Sequence, residues 1–593
     1  GMILYNAKAE EDLVADVHFL PAIHVSHADG LAIKELLDGD DADDLTAEIG
    51  GGEATEGQGD KVAPFSARGP QGAVPDIPKP DVTAPGVDII AAVTPVHLRS
   101  PETEPEPKPG DPEPEPEPGE LFASLSGTSM SSPHVAGAAA LLTQREPLRS
   151  PAAIKSALMT TAVPDLLEAD GKTPADAFDV GSGRIDPNRA ADPGLVLEVG
   201  TPDYIRYIEG LDPAIVDGDA PPLAAVDLNL PAVSFGSFTG VGATRRTFTS
   251  VDEVTGSWSA RFTGLKGVSA TVTPAAFDIA PGQAQAVELE FSRQEAELKR
   301  YAFGALVLEH AADGRTVRLP VTIRPVQIAA PEVAEIATDQ PAGSAPVSAR
   351  AGYRGELSAL GWGLAAPKVL PGETVESARE PAHHQGTPGV RVFDVEVPPG
   401  SQVLAGMTSR VDGGAPDTDL DLYLFYDSKG DGFTADEEIA ASADGDADEA
   451  VVLTNPPAGA YRFSVVGFKT RKPVSVFDFT TWVGTDPAPD DPAAPDGPGV
   501  AVTGDPKPVR PGETVSLDLE WSRLGGPGLY LGLVTFHDVA TPDPAKPVTS
   551  TIVVVERGDV GFTPAGWTGT VGPAPASASG GGGGRAGRPP PEV

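Results

Sequence analysis

A period-two alternation of apolar and polar residues recurs along the chain from about residue 220 onward. Val287, Leu289 and Phe291 alternate with glutamates, and the same pattern occupies residues 393–397 and 515–521. Successive side chains of a β-strand point to opposite faces of a sheet, so each segment predicts a strand with one buried face.

Pro-Gly pairs come before strand-like runs at 281–282, 371–372 and 511–512. Pro fixes φ and Gly accepts a positive φ, so each pair predicts a tight turn into a strand. Many short strands joined by such turns are typical of β-sandwiches. We expect three sandwiches, at about 196–330, 345–485 and 495–560.

The first third of the chain has another pattern. Residues 51–195 mix strand-like and helix-like segments and predict an α/β lobe, with residues 1–50 as a separate segment before it. Residues 101–118 are mostly Pro and Glu and predict an extended, solvated insertion loop, and the glycine-containing tail 561–593 is predicted to be disordered. The predicted fold class is multidomain, with an α/β lobe followed by all-β sandwich domains.

Composition argues against several classes of function. The chain has 86 acidic against 42 basic residues, a formal net charge of -44, which repels nucleic acid and anionic lipid. It has no cysteine, so disulfides, thiolate metal sites and a cysteine nucleophile are excluded. No apolar run reaches the ~18 residues that a membrane helix needs. We therefore expect no nucleic-acid partner, no membrane span and no cofactor.

The stretch 125–142 is rich in small residues, and their order predicts a strand end, a tight turn and a buried helix. We expect Pro133 to fall in the first helical turn, where its missing N–H has no partner to lose. Ser129 then lies at the helix N-terminus, where free backbone N–H groups and the helix dipole favour negative charge. That position suits a nucleophile whose attack creates an oxyanion.

Residues 127–137 read Gly-Thr-Ser-Met-Ser-Ser-Pro-His-Val-Ala-Gly and resemble the nucleophile signature of the subtilisin-like serine peptidases, the subtilases. The resemblance implies an endopeptidase that cleaves proteins or peptides through an acyl-enzyme. By the same resemblance Ser129 is the catalytic serine, and its own backbone N–H contributes to the oxyanion hole.

The flanks resemble the same family at residues 62–70, 79–86 and 150–162. The last of these also predicts a helix without the family, because Ser150 is a typical N-cap and Pro151 a typical first helical residue.

Further resemblances place the chain in the cucumisin-like branch. Residues 1–50 look like the C-terminal part of a protease-associated domain, and 51–195 like the C-terminal part of the subtilase catalytic domain. Residues 196–330 are similar to a fibronectin-III-like domain, and 345–485 to a pre-peptidase C-terminal domain. A secreted, extracellular protein is implied.

The family's catalytic Asp, His and oxyanion-hole Asn precede the protease-associated insertion, so the resemblance implies an N-terminally truncated chain that lacks them. His24 and His134 precede valines as the family's histidine does, but neither has its glycine flanks. We expect His134 to be structural, because a general base must approach the serine from another element. Possible partners then include the protein's own upstream segment or prodomain. Two alternatives stay open: a non-catalytic binding protein on a subtilase scaffold, and one half of a split peptidase.

An acidic loop at 427–438 partly fits an EF-hand calcium loop. Lys429 stands where a third oxygen ligand belongs, and the flanks predict strands instead of helices. We therefore expect an acidic β-turn without a metal.

Overall fold

A computed structural model describes most of the chain, as two compact units, Gly1–Val326 and Gln327–Val593. The described residues are 1–6, 21–38, 46–50, 58–92, 121–211, 221–374, 388–410, 418–434, 437–443, 445, 447–469, 475–485, 498–504, 506–540 and 547–558. The insertion loop predicted at 101–118 and the tail predicted at 561–593 lie outside them. Within the described ranges, none of the helices has the length and apolar character needed to cross a membrane.

The first part of the first unit is α/β, as the sequence predicts. Its elements are β1 (Met2–Tyr5), β2 (Ala22–Val25), α1 (His27–Leu37), β3 (Ile89–Ala92), β4 (Phe122–Leu125), α2 (Thr128–Arg145), α3 (Pro151–Thr160), α4 (Ala177–Val180), α5 (Pro187–Ala190), β5 (Leu195–Val196) and α6 (Thr201–Leu211). Strands β1 and β2 pair in parallel, and β3 and β4 pair antiparallel.

Helix α3 forms where its N-terminal signals predict it. The Ser150 hydroxyl accepts a hydrogen bond from the Ala153 N–H at 3.0 Å, and Pro151 is the first helical residue. Ile154 and Leu158, one helical step apart, are buried against α2 and α5. This packing makes α3 the central helix of the described lobe.

The rest of the first unit is a β-sandwich. Its strands are β6 (Val233–Phe238), β7 (Val241–Ser250), β8 (Gly256–Gly264), β9 (Val268–Thr273), β10 (Ala276–Ile279), β11 (Ala284–Arg293), β12 (Ala302–His310) and β13 (Thr316–Pro325). They form two sheets, ordered β10-β8-β12-β13-β6 and β5-β7-β11-β9. The alternating residues Val287, Leu289 and Phe291 of β11 are all buried, as predicted.

The start of this sandwich differs from the predicted boundary at 196. Leu195 and Val196 of β5 pair with Ser250 and Thr249 of β7, so the strand that ends the lobe joins the sandwich sheet. Helix α6 then intervenes before β6. The alternation pattern could not show this, because a two-residue strand and an amphipathic helix carry no period-two signal.

In the described residues of the second unit, all named elements are strands. They are β14 (Ile328–Ala329), β15 (Val333–Thr338), β16 (Gly343–Ala351), β17 (Gly355–Ala365), β18 (Lys368–Thr374), β19 (Val390–Val397), β20 (Ser401–Arg410), β21 (Asp419–Tyr426), β22 (Glu438–Ser442), β23 (Ala450–Thr454), β24 (Gly459–Lys469), β25 (Ser475–Thr485), β26 (Gly499–Thr503), β27 (Lys507–Val509), β28 (Thr514–Ser522), β29 (Gly528–Asp538) and β30 (Thr549–Arg557).

Two sandwiches make up this unit, one inserted into the other. The outer sandwich has sheets β14-β16-β28-β26 and β15-β30-β29-β17-β27, and the inserted one has sheets β18-β25-β20-β23 and β19-β24-β21-β22. Strands β16 and β17 therefore belong with residues 499–557, which corrects the division predicted at 345–485 and 495–560. Alternation identifies a strand but not its partner, and here the partners are more than 150 residues apart.

The Pro-Gly prediction succeeds twice and fails once. Gly282 and Gly512 have φ values of 70° and 81° in turns that lead into β11 and β28. Gly372 instead lies within β18, paired with Phe477. A Cβ on Gly372 would lie 2.5 Å from that ring, so this glycine provides room for an aromatic side chain instead of a turn.

Candidate active site

Ser129 follows a strand and a short turn, as the sequence predicts. Strand β4 ends at Leu125, and α2 begins at Thr128 after the N-cap Gly127, which has no side chain to accept from the first helical N–H groups. The first four N–H groups of a helix have no partner within it, so the Ser129 N–H is available to another acceptor. The Ser129 side chain is exposed and makes no hydrogen bond with any described residue. Its hydroxyl is accessible at a helix end that favours negative charge.

Pro133 lies in the second turn of α2, not in the first as predicted, because the helix already begins at Thr128. At this position a residue with an N–H would donate to the carbonyl of Ser129, four residues earlier. Proline cannot, so the Ser129 carbonyl has no helical partner.

Only one side of α2 is buried, whereas the sequence predicts a buried helix. Ala138 and Leu142 are buried against α3 and α5. The opposite side is exposed and, apart from Ser129, apolar. We call it the uncovered face; it consists of Ser129, Ala136, Gly137, Ala140 and Leu141. Leu141 is 63% exposed. Residues 135–142 of α2 are all apolar or glycine, and such a helical segment is normally enclosed by protein on all sides. The described residues therefore supply only part of its surroundings.

The β3–β4 pair is also left open. Ile90 is 77% exposed and Phe122 63% exposed, among the most accessible large apolar side chains of the described chain. An isolated two-stranded pair is marginal in water and gains stability from further strands or a helix on its face.

A cavity of about 700 Å³ lies beside the start of α2. Thr128 and Ser131 line it from the helix, and Phe65 and Gly86 line it from two loops. Its charged wall includes Arg184, whose guanidinium donates to Asp60 at 2.6 Å.

Segment 79–86 is held by charge as well as by backbone pairing. Burial opposes ionisation of Asp81, but the charges of Lys155 and Lys79 outweigh it and lower the pKa of this carboxyl. Lys155 Nζ lies 2.9 Å from Asp81 Oδ1. Two residues on, the Thr83 N–H donates to the Gly183 carbonyl at 2.9 Å.

No described histidine is hydrogen-bonded to Ser129, and His24 lies in β2, paired with Leu4 of β1. The His134 Nδ1–H donates to the Met130 carbonyl at 2.8 Å within the same helix, and the ring is exposed. The His27 ring bonds to the Asn6 carbonyl, His310 to Asp313 and His537 to Thr535. His18, His97, His383 and His384 lie outside the described residues. None of these described rings is hydrogen-bonded to Ser129, so they do not identify its general base.

The acidic loop between β21 and β22 gathers Asp427, Asp431 and Glu437; Glu438, the twelfth position of the EF-hand pattern, begins β22 instead. Asp427 accepts from the N–H groups of Gly430, Asp431 and Gly432. The Glu437 carboxylate accepts from Ser428 and Thr434. The carboxylates thus close turns, and the flanking elements are strands.

Comparison with known proteins identifies the lobe. The model of the subtilase family matches residues 38–195. These residues are a subtilase-family domain. The model of a fibronectin type-III domain matches residues 227–323, so the subtilase domain is followed by a fibronectin-III-like sandwich and the predicted fold class is confirmed. The protease-associated and pre-peptidase C-terminal assignments stay predictions.

Curated relatives agree with this family. The chain is 37% identical over 347 residues to the subtilisin-like protease SBT1.3 of Arabidopsis thaliana, covering 54% of this chain and 43% of the relative. It is 38% identical over 301 residues to SBT1.7 of the same plant, covering 46% and 37%. The chain thus matches less than half the length of these subtilases.

Sequence reasoning missed two residues beside Ser129. Ser131 and Gly86 lie in sequence motifs that resemble those of the family. The sequence alone does not show that these two residues are in contact. Only the fold brings segment 84–88 against the start of α2.

Proposed function

We propose that Ser129 is the nucleophile of a serine endopeptidase, and that it cleaves protein or peptide substrates through an acyl-enzyme. The observation that supports this most is the exposed Ser129 hydroxyl at the N-terminus of α2 in a subtilase-family domain. Attack of Oγ on a peptide carbonyl joins oxygen to carbon and places negative charge on the carbonyl oxygen. The free Ser129 N–H and the helix dipole stabilise that charge.

The proton of Oγ must pass to a base and then to the leaving amine, after which water hydrolyses the ester by the reverse transfers. We propose that the base, its orienting carboxylate and the oxyanion Asn lie outside this chain. The uncovered face supports this, because Ser129 and exposed Leu141 lie on one side of α2. We call the polypeptide that would cover this side the covering segment. A base on it would approach Ser129 from another element, as the chemistry requires.

The proposal includes the setting of the enzyme. We assign it a secreted, extracellular location, with its own upstream segment or a prodomain as a further partner. This assignment rests on the match of residues 38–195 to the subtilase family.

Peptide hydrolysis by the natural protein that contains the covering segment tests the proposal. Ser129→Ala should abolish turnover, since loss of a triad serine costs orders of magnitude in kcat, about 10⁶ for a subtilisin. The matched control is Ser132→Ala, because Ser132 is exposed and its side chain makes no hydrogen bond with the described residues. Its kcat should match the wild type. A Ser129→Ala protein that keeps its turnover would refute the assignment, and a wild type without turnover would favour a non-catalytic scaffold.

A further inference from the structure

Segment 84–88 is joined to the turn around Ser129 by three hydrogen bonds. The Gly127 N–H donates to the Gly86 carbonyl at 2.8 Å, and the Ser131 hydroxyl donates to the Ala84 carbonyl at 2.9 Å. The Asp88 N–H donates to the Ser126 hydroxyl at 2.9 Å. Two of these contacts precede Ser129 and one follows it, so the turn is held on both sides of the nucleophile.

Close packing between Gly86 and Ser131 reinforces the arrangement. A Cβ on Gly86 would overlap the Ser131 Oγ and would lie 2.8 Å from the Gly127 carbonyl oxygen. The Gly86 backbone has no positive φ, so proximity and not conformation requires glycine here. Any side chain at this position would push the start of α2 away from segment 84–88.

The other end of this segment is anchored in the lobe. Besides the bond from its N–H to Gly183, Thr83 accepts a hydrogen bond from the Ile185 N–H through its carbonyl at 3.0 Å. These two bonds fix the backbone directly before Ala84. The Ala84 carbonyl accepts the hydrogen bond from the Ser131 hydroxyl. The lobe therefore holds this carbonyl in place independently of α2.

We propose that Ser131 is a positioning residue for the reaction of Ser129, and that it acts through the Ala84 carbonyl and the Gly86 contact. This inference rests on the proposed function of Ser129. The Ser131 hydroxyl fixes the first turn of α2, and with it the direction of the Ser129 hydroxyl and backbone N–H. A displacement of a catalytic group by about 1 Å is enough to cost 10²-fold in rate. The Ser131 hydroxyl donates to the Ala84 carbonyl and not to Ser129, so the role we assign to it is positioning and not catalysis.

Kinetics of the natural protein with the covering segment test this role. Ser131→Ala should lower kcat by about tenfold or more with KM changed less than about twofold, because the turn matters in the transition state and not for substrate binding. Ser132→Ala, the adjacent matched control, should leave both constants unchanged. Equal kcat values for Ser131→Ala and the wild type would overturn the proposal.

A double-mutant cycle tests the contact itself. Gly86→Ala should lower kcat more than Ser131→Ala, because it both overlaps Oγ and crowds the Gly127 carbonyl. The double variant should lose less than the product of the two single losses, since removing Oγ relieves part of the overlap. Strictly multiplicative losses would show that the residues act separately and would contradict the proposal.

Hydrogen exchange on the 593-residue chain separates this proposal from the proposed function. In Ser131→Ala the Gly127 amide should exchange about fivefold faster or more, since one hydrogen bond that holds the turn is lost. Amides of β7 and β11 should not change, which distinguishes a local effect from general destabilisation. Unchanged exchange at Gly127 would show that the Ser131 hydrogen bond does not hold the turn, even if Ser129 is the nucleophile. Faster exchange in a protein without peptidase activity would show that Ser131 holds the turn, but it would refute a role of Ser131 in a reaction.

Discussion

The Gly236 N–H donates to Asp76 Oδ1 at 2.6 Å and thereby joins a loop of the subtilase domain to β6 of the fibronectin-III-like sandwich. The neighbouring Ser234 hydroxyl donates to the Pro75 carbonyl at 2.7 Å. The loop tip is partly withdrawn from water, and this burial raises the pKa of the Asp76 carboxyl. The sandwich is therefore packed onto the domain that contains Ser129.

Gly236→Ala should destabilise this contact. The new Cβ would lie 2.5 and 2.6 Å from carbon atoms of the Pro75 ring, which cannot bend away as a flexible side chain could. We expect a loss of about 1–3 kcal/mol in the free energy of unfolding of the first unit, measured by urea denaturation. The control Gly72→Ala lies in the same loop and has no atom within 4 Å of its Cβ position, so it should be neutral. Equal stability of the two variants would mean that the contact does not form.

The stability of the second unit should depend on the protonation of Asp421. Burial, with a smaller contribution from the charge of Asp419, raises the pKa of the Asp421 carboxyl from 3.8 to about 6. Between these values the folded state binds more protons than the unfolded state, so this group lowers stability as the pH rises through about 6. At pH 7 the folded protein contains a buried charge that it would not contain at pH 4.

Asp421→Asn removes that charge and keeps an oxygen that can accept from the Tyr423 hydroxyl. It should raise the free energy of unfolding at pH 7 by up to about 3 kcal/mol and change it little at pH 4. The control Asp518→Asn, at an exposed position, should change stability little at either pH. Urea denaturation at both pH values measures the difference, and a stabilisation that is equal at pH 4 and 7 would show that desolvation of Asp421 is not its cause.

Trp482 should couple the two nested sandwiches. It is buried in a cluster that combines Val403 and Ala405 of the inserted sandwich with Leu531 and Ile552 of the outer one. Its indole N–H donates to the Leu529 carbonyl at 2.8 Å. Trp482→Ala should cost about 3–5 kcal/mol and speed amide exchange in both sandwiches together.

The control for Trp482 is Val476→Ala on the same strand, since Val476 is exposed and should tolerate truncation. Faster exchange confined to the inserted sandwich would contradict the coupling.

Sequence reasoning went furthest where the signal was local. Ser150 and Pro151 fixed the start of α3, and the alternation around Leu289 fixed a strand and its buried face. It went wrong where distant partners decide the structure. Gly372 was predicted to lie in a turn, because the sequence does not show that Phe477 packs beside it. Helix α2 was predicted to be buried, but one side of it is exposed among the described residues.

The acidic loop should bind calcium only weakly. Asp427 and Glu437 already accept hydrogen bonds from five residues of their own loop, namely Gly430, Asp431, Gly432, Ser428 and Thr434. These bonds use part of the acceptor capacity of the two carboxylates, and Lys429 adds positive charge nearby. Calorimetric titration of the 593-residue chain with Ca²⁺ should give a Kd weaker than ~10⁻⁵ M, the limit of sensor-type loops. A tighter Kd that Asp427→Asn weakens would prove this expectation wrong.

Labelling by a serine-directed fluorophosphonate shows whether Ser129 is an activated nucleophile, because the probe reacts only with a serine that a base has activated. It should be applied to the 593-residue chain and to the natural protein with the covering segment, each with its Ser129→Ala variant. We expect labelling of Ser129 in the longer protein, no labelling of its Ser129→Ala variant, and no labelling of the 593-residue chain. Robust labelling of Ser129 in the 593-residue chain would contradict the account, because a base would then lie within these residues.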